Sequence, residues 1–366
     1  MSQQKNQTCA FEFYSNSSLD SLLNSKLLSN DFYSSIIESV DFQRLKQVSF
    51  LGAIDYINPD NKTNRFQHSL DVAKLALYIS EKRNYSQEVT DHVVSAALLH
   101  DIGHAPLSHS MESSFFEAYG IDHHIVSSNL ISKGIERTSI TNILKKHVSL
   151  DLVLKLIEQK STEEFSDIFN SKVNIDTIDG IHKSLAFVNI KSPYNKYALA
   201  KAAFIESEHD EKRVAKLDHF WSAKNFVYKK IITSGIGAVA DHISKEYFSE
   251  NLSRIDASYF LKKESSLIGG RKPIFKDFSK KIRKIKCLEY PSIENTNVFD
   301  ITLFERDYTT QNNVNIDSQT NLNDFINERY TVKKTKTQKH IYYSVSRDKK
   351  LENTLSCKKV QYKLFG

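Results

Sequence analysis

The chain has 366 residues, a formal charge of +6 and 40% hydrophobic residues, enough apolar surface to bury a sizeable core and too much for a disordered chain. With only 10 Gly and 5 Pro it falls well below the usual shares of about 7% and about 5%, which disfavours collagen-like, low-complexity and turn-dense β-sandwich architectures. The three cysteines, Cys9, Cys287 and Cys357, are far apart and odd in number, so neither a disulfide framework nor a thiolate zinc site is expected, and a reducing cytoplasm fits best.

Residues 1–30 lack a basic start followed by an apolar run and read as an N-terminal extension, not a signal peptide. From 31 to 250 the apolar spacing is mostly helical. Leu70, Ala73 and Leu77, with Val72, Ala76 and Ile79, give one apolar helical face. The next segment, 89–99 (VTDHVVSAALL), is apolar nearly all round and predicts a central buried helix. Further helices are predicted at 125–131, 151–159, 197–206, 218–232 and 239–248. The stretch 231–240 is uncharged and apolar but far too short to cross a bilayer, so no membrane partner is expected. Near Glu250 the texture changes. Gly269, Gly270 and Pro273 punctuate a basic run, 262–286, that carries ten Lys and Arg against two acids, Glu264 and Asp277. A second basic cluster includes Lys333, Lys334, Lys336 and Lys339. Alternation at 298–305 and 339–345 predicts strands, and 309–323 reads as an exposed loop. The fold class expected is mainly α, a helical core over 31–250 followed by a smaller, basic, mixed α/β region over 251–366.

The chemistry concentrates between Asn64 and Ser127. His68 lies near the start of one helix, His100-Asp101 ends the buried one, and the later string NIDTIDGIHKS offers Asp176 and Asp179. Two imidazoles with two carboxylates suit a divalent ion such as Mn, Fe, Mg or Zn. A lone His-Asp pair is weak evidence, because a histidine on an apolar helix is more often a hydrogen-bonded core residue. The density is different: five of the 13 histidines fall within 100–124, together with Asp101 and Glu112.

The order His68, His100-Asp101, Asp176 resembles the HD-domain phosphohydrolases, and within them the deoxynucleoside triphosphate triphosphohydrolase branch. FQRLKQVSFLG (42–52), NRFQH (64–68), HDIGHAPLSH (100–109) and LDHFWSAKNFVYKK (217–230) carry the resemblance, which spans roughly 41–248. It implies an HD-domain helical core with His68, His100, Asp101 and Asp176 as metal ligands and Asp179 as a structural partner of the site. It further implies a His109–Glu112 dyad, spaced so that both face one way on a helical turn, for proton transfer. His104 and His123 match histidines around the scissile phosphate, with His124 standing where the family has Glu. Arg65 and Lys224 match basic phosphate contacts, Lys224 in place of an Arg. Departures gather in the nucleoside pocket: Phe50 before Leu51-Gly52 where the family has Gln, Thr177 for Lys, Gly180 for Tyr and Ser184 for Asp.

The function expected is release of nucleoside and triphosphate from a (deoxy)nucleoside triphosphate, with Phe50 and Leu51 beside the nucleoside. The alternatives are a phosphodiesterase or nuclease on cyclic nucleotides or single-stranded nucleic acid, and a nucleotide-sensing module. The resemblance also implies a homo-oligomer. The basic C-terminal region is read either as a solvated face or as a surface for a nucleotide effector or nucleic acid.

Overall fold

The computed structural model describes residues 16–133, 140–206, 211–232, 235–283, 298–311 and 330–342. The three cysteines, Lys284, Lys286, the 312–323 part of the expected loop, and 343–345 lie outside them. Capping side chains open eight of the sixteen described α-helices. Asn64 accepts from the Gln67 amide and opens the long helix Arg65–Lys82; Ser86 opens Gln87–Leu99; Asp122 opens His123–Ser132; Asn174 accepts from the Thr177 amide and opens Ile175–Phe187. In chain order the helices are α1 (Asn16–Ser29), α2 (Asp31–Glu38), α3 (Val40–Arg44), α4 (Arg65–Lys82), α5 (Gln87–Leu99), α6 (His109–Tyr119), α7 (His123–Ser132), α8 (Ile140–Leu144) and α9 (Leu150–Ile157). They continue as α10 (Asp167–Asn170), α11 (Ile175–Phe187), α12 (Lys196–Phe204), α13 (Glu211–Val227), α14 (Gly235–Glu250), α15 (Ser265–Ile268) and α16 (Phe278–Arg283). The described chain is mainly helical, as its composition requires. The helix expected at 218–232 begins earlier, at Glu211, and passes after Val227 into a wider π turn, Tyr228–Ile232.

The centre is the pair α4 and α5. Val93, Val94, Ala96, Ala97, Leu98 and Leu99 of α5 are fully buried, as the nearly all-round apolar pattern requires. Helix α4 departs from its single-faced pattern. From Leu70 to Ser80 it is buried all round, Asp71 and Lys74 included, because α1, α11 and α12 cover the side that reads as polar. The two charged residues survive there by pairing: Asp71 lies 3.0 Å from Lys74 and 3.1 Å from Lys196, and also meets Lys183.

Beyond α14 the chain stays on this core. Phe260 packs against Phe115, and Phe275 and Phe278 pack against Tyr247. Strands β1 (Val298–Gln311) and β2 (Tyr330–Tyr342) then form one antiparallel pair, in register Glu305 to Lys336 and Asp307 to Lys334. Both predicted strands exist, and β1 continues into the segment that reads as a loop. Among the described residues no helix is long and apolar enough to cross a membrane.

Candidate active site and metal centre

Three helices deliver the donors. The Asn64 cap puts Arg65 and His68 in the first turn of α4; α5 ends at Leu99 and hands His100 and Asp101 to the loop; the Asn174 cap puts Asp176 and Asp179 at the start of α11. Of the expected ligands, His68, His100 and Asp101 form one mutually close set, and Asp176 stands against the two imidazoles. His68 Nε2 is 3.2 Å from His100 Nε2, 3.0 Å from Asp176 and 3.6 Å from Asp101; His100 Nε2 is 3.5 Å from Asp101 and 3.7 Å from Asp176. The 3.0 and 3.2 Å separations match the octahedral edge of about 3 Å around an ion with bonds of about 2.1 Å, and the other three are wider. Each imidazole has its other nitrogen engaged: His68 Nδ1–H donates to Asp179 at 2.8 Å and His100 Nδ1–H to the Ala97 carbonyl at 2.8 Å. Both Nε2 atoms therefore face a shared centre, where each, once free of a proton, can give its lone pair to a divalent ion. His68 is fully buried, whereas the Asp176 side chain is 55% exposed, so the centre opens to solvent on the α11 side. Charge balance fits a cation as well. Burial alone would raise the Asp101 carboxyl, but the Arg65 guanidinium beside it, with His100 and His104, holds it well below the usual range.

A second cluster adjoins the first through His104. Its Nε2 lies 3.1 Å from Asp101, and its ring stacks on His123 at 4.3 Å and meets His109 edge-on at 4.7 Å. Glu112 joins the other two: His109 Nδ1 is 2.8 Å from one carboxylate oxygen, and His123 bonds the other through both its backbone amide and Nδ1. Burial alone would raise Glu112, but these imidazole donors hold it well down, so it is a carboxylate. Burial, with Arg65 adding to it, pushes His104 well below the ordinary imidazole value and leaves it neutral. The His109 side chain is 64% exposed and the accessible member of the cluster. His124 stacks obliquely on His123 at 3.9 Å.

All three donor groups of Arg65 are engaged by protein. Nη1 donates to Asp101 at 2.7 Å, Nη2 to the Phe50 carbonyl at 2.9 Å and Nε to Ser108 Oγ at 3.0 Å. Phe50 is buried with its ring 4.6 Å from that of His68, and its edge lies 3.4 Å from where a Cβ on Gly180 would stand. Leu51 is half-buried, its amide held by Asp55 at 2.9 Å. Lys224, on α13, stands over the Trp221 ring at 5.1 Å.

The loop 100–109 is tightly built. Gly103 has no room for a Cβ, which would run into the His123 carbonyl and Ser127. Leu107 and Ser108 adopt φ of +60° and +45°, a conformation that costs side-chain-bearing residues about 1–3 kcal/mol each. Behind His68 lies a buried ion network not apparent in the sequence. Asp179 is 2.7 Å from Lys183 and 3.5 Å from Lys196, and Lys74 is 2.8 Å from Asp20 of α1. The i,i+3 pair Asp71–Lys74 and the i,i+4 pair Asp179–Lys183 were the only local hints of it.

The helical fold thus brings a candidate His/Asp metal centre to the junction of α4, α5 and α11. Residues 65–177, which include all four candidate ligands, match the HD domain family, and this part of the chain is an HD domain. The chain is 31% identical over 158 residues to an uncharacterized protein of Methanocaldococcus jannaschii, covering 43% of this chain and 32% of that one. It is 28% identical over 159 residues to the deoxynucleoside triphosphate triphosphohydrolase of Xenopus laevis, covering 38% and 24%. A hypothetical protein from Aquifex aeolicus of known crystal structure shares the fold, with a TM-score of 0.58 at 20% identity over 76% of this chain and 82% of that one. The chain spans about half or less of the length of the first curated relatives it matches.

Proposed function

We propose that the protein hydrolyses (deoxy)nucleoside triphosphates to nucleoside and triphosphate. The observation that carries this reading is the adjacency of the two clusters: His68, His100 and Asp101, with Asp176 against the two imidazoles, adjoin a solvent-accessible His109–Glu112 pair through the His104–Asp101 contact. In this reading His68, His100, Asp101 and Asp176 hold the ion, which when bound lowers the pKa of a water and polarises a phosphoryl oxygen. Asp179 orients His68, and Arg65 orients Asp101. Glu112 keeps the His109 proton on Nδ1 and stabilises the imidazolium, so that His109 delivers a proton to the departing oxygen, a contribution of about 10²–10⁴-fold. His123 and neutral His104 flank the same phosphate, Lys224 meets its neighbours, and Phe50 and Leu51 border the nucleoside. The similarity to the Xenopus laevis enzyme supports the substrate class. Residues 31–250 form the catalytic unit of this proposal, in a cytoplasmic homo-oligomer, with 251–366 regulatory or an oligomerisation region and its basic surface open to nucleic acid.

The test is incubation of the full chain with each nucleoside triphosphate and Mn²⁺ or Mg²⁺, with tripolyphosphate as the readout. Release by the wild type and none by His100→Ala supports the proposal; a metal-loaded wild type that releases none from any nucleotide overturns it. One observation favours a phosphodiesterase instead. Ser184, where the resemblance leads one to expect a sugar-reading carboxylate, spends its hydroxyl on the Gly180 carbonyl at 2.8 Å within its own helix. Cleavage of labelled single strands or cyclic nucleotides, lost in Asp101→Ala, would select that reading.

A further inference from the structure

Glu264 reads in the sequence as one of two acids in a solvated basic run, yet it is 4% exposed. Its carboxylate accepts five hydrogen bonds: from the Ser49 amide, the Ser49 hydroxyl at 2.7 Å, the Tyr56 hydroxyl at 2.5 Å, Lys62 Nζ at 3.1 Å and the Leu107 amide at 3.2 Å. A buried carboxylate is tolerated only when so satisfied. Its position is set from its own segment, because the Glu264 amide donates to the Gln47 carbonyl at 3.1 Å and Leu267 is fully buried.

What this carboxylate joins is the underside of the site. Leu107 and Ser108 are consecutive residues at positive φ, and His109 follows immediately. Ser108 Oγ donates to the Ser49 carbonyl at 2.6 Å and accepts from Arg65 Nε at 3.0 Å, while Arg65 holds Asp101 at 2.7 Å. Glu264 thus grips both neighbours of the Ser108 bridge, the Ser49 backbone on one side and the Leu107 amide on the other. Gly52 closes the same junction, where a Cβ would meet the Leu107 carbonyl.

We propose that Glu264, which lies outside the matched HD segment, is a positioning residue of the site. It clamps the 107–108 turn and so fixes the first residue of α6, His109, and the orientation of Arg65 toward Asp101. The catalytic consequence rests on the phosphohydrolase reading; the clamp itself does not.

The test compares full-length wild type with Glu264→Ala, Glu264→Asp and Glu264→Gln, with activity normalised to folded, metal-loaded protein and amide exchange followed over 104–110. Glu264→Ala should lose kcat by roughly 10–100-fold with KM nearly unchanged, and its 104–110 amides should exchange faster. Glu264→Gln keeps an oxygen for the two amides, loses only the acceptor of Lys62 because the two hydroxyls can accept from its NH2, and should restore most of both. Glu264→Asp, too short to reach both sides, should fall between and carries the test if the Ala variant does not fold. Wild-type kcat per loaded molecule in the Ala or Asp variants, with unchanged exchange at 104–110, would overturn the proposal. A wild type inactive on every phosphoester would remove the function proposed above, while the exchange data would still decide the clamp.

Discussion

His68 and Asp179 meet at 2.8 Å through the imidazole Nδ1, while Nε2 of the same ring faces His100 at 3.2 Å. The carboxylate fixes which nitrogen carries the proton and leaves the other as an ion donor. Asp179 is held in turn by Lys183 and Lys196. Asp179→Ala should therefore weaken divalent-ion binding by about 10–100-fold, and Asp179→Asn, which keeps an acceptor, by less. Competition titration of Mn²⁺ against a chelating dye measures this, and wild-type affinity in the Ala variant would mean the ring needs no such support.

The same contacts give ion binding a pH dependence. Burial alone would lower His68, but its hydrogen bonds to Asp176 and Asp179 and the Asp101 charge raise it to about 9. Ion-free His68 is thus protonated at neutral pH, and a bound ion must displace that proton. Affinity should fall as pH falls, by about tenfold per unit below about pH 9, with a proton released on binding. Calorimetry in buffers of different ionisation enthalpy reads the released proton directly; an affinity flat from about pH 7 to about pH 9 would contradict it.

Arg65 places three donors on three acceptors with one planar group. Lysine keeps the charge but cannot reproduce this fork. Arg65→Lys should leave the Phe50 carbonyl or Ser108 without its donor, at a cost of about 1–3 kcal/mol. It should also lower kcat by at least about tenfold through misplaced Asp101. Urea midpoints and steady-state kinetics measure the two effects, and a Lys variant unchanged in both would show that the fork is dispensable.

Asp55 is fully buried, with Oδ2 on the Leu51 amide and Oδ1 without a hydrogen-bond partner. Burial pushes its carboxyl up to about 7, against about 3.9 in an unfolded chain. The folded protein keeps a proton that the unfolded chain has lost, so this group's contribution to stability falls as pH rises from about 4 to about 7. Asp55→Asn, neutral throughout, should gain on the wild type across that window and match its pH trend below about pH 4. Urea midpoints across this range test it; parallel curves would mean that Asp55 is ionised in the fold.

Seven of the sixteen described α-helices, α4, α5, α7, α9, α12, α13 and α14, were legible because their apolar spacing is local, and the adjacent pair His100-Asp101 stood out for the same reason. What was not legible depends on distant segments meeting. Asp71 and Lys74 read as a polar face until α1, α11 and α12 close over them. Glu264 sits among ten cations in a stretch with no apolar period, and only its meeting with Ser49 and Leu107 gives it a role. The bond between Arg65 and Ser108 depends on a positive-φ turn that no Gly announces.

The central claim is that His68, His100, Asp101 and Asp176 hold one divalent ion. Metal content by mass spectrometry, after reconstitution of the full chain with Mn, Fe, Mg or Zn, tests it most directly. The wild type should hold about one equivalent per chain, lost in His100→Ala and Asp101→Ala variants that remain folded. A folded wild type that retains none of these metals, or variants that keep the full complement, would contradict it.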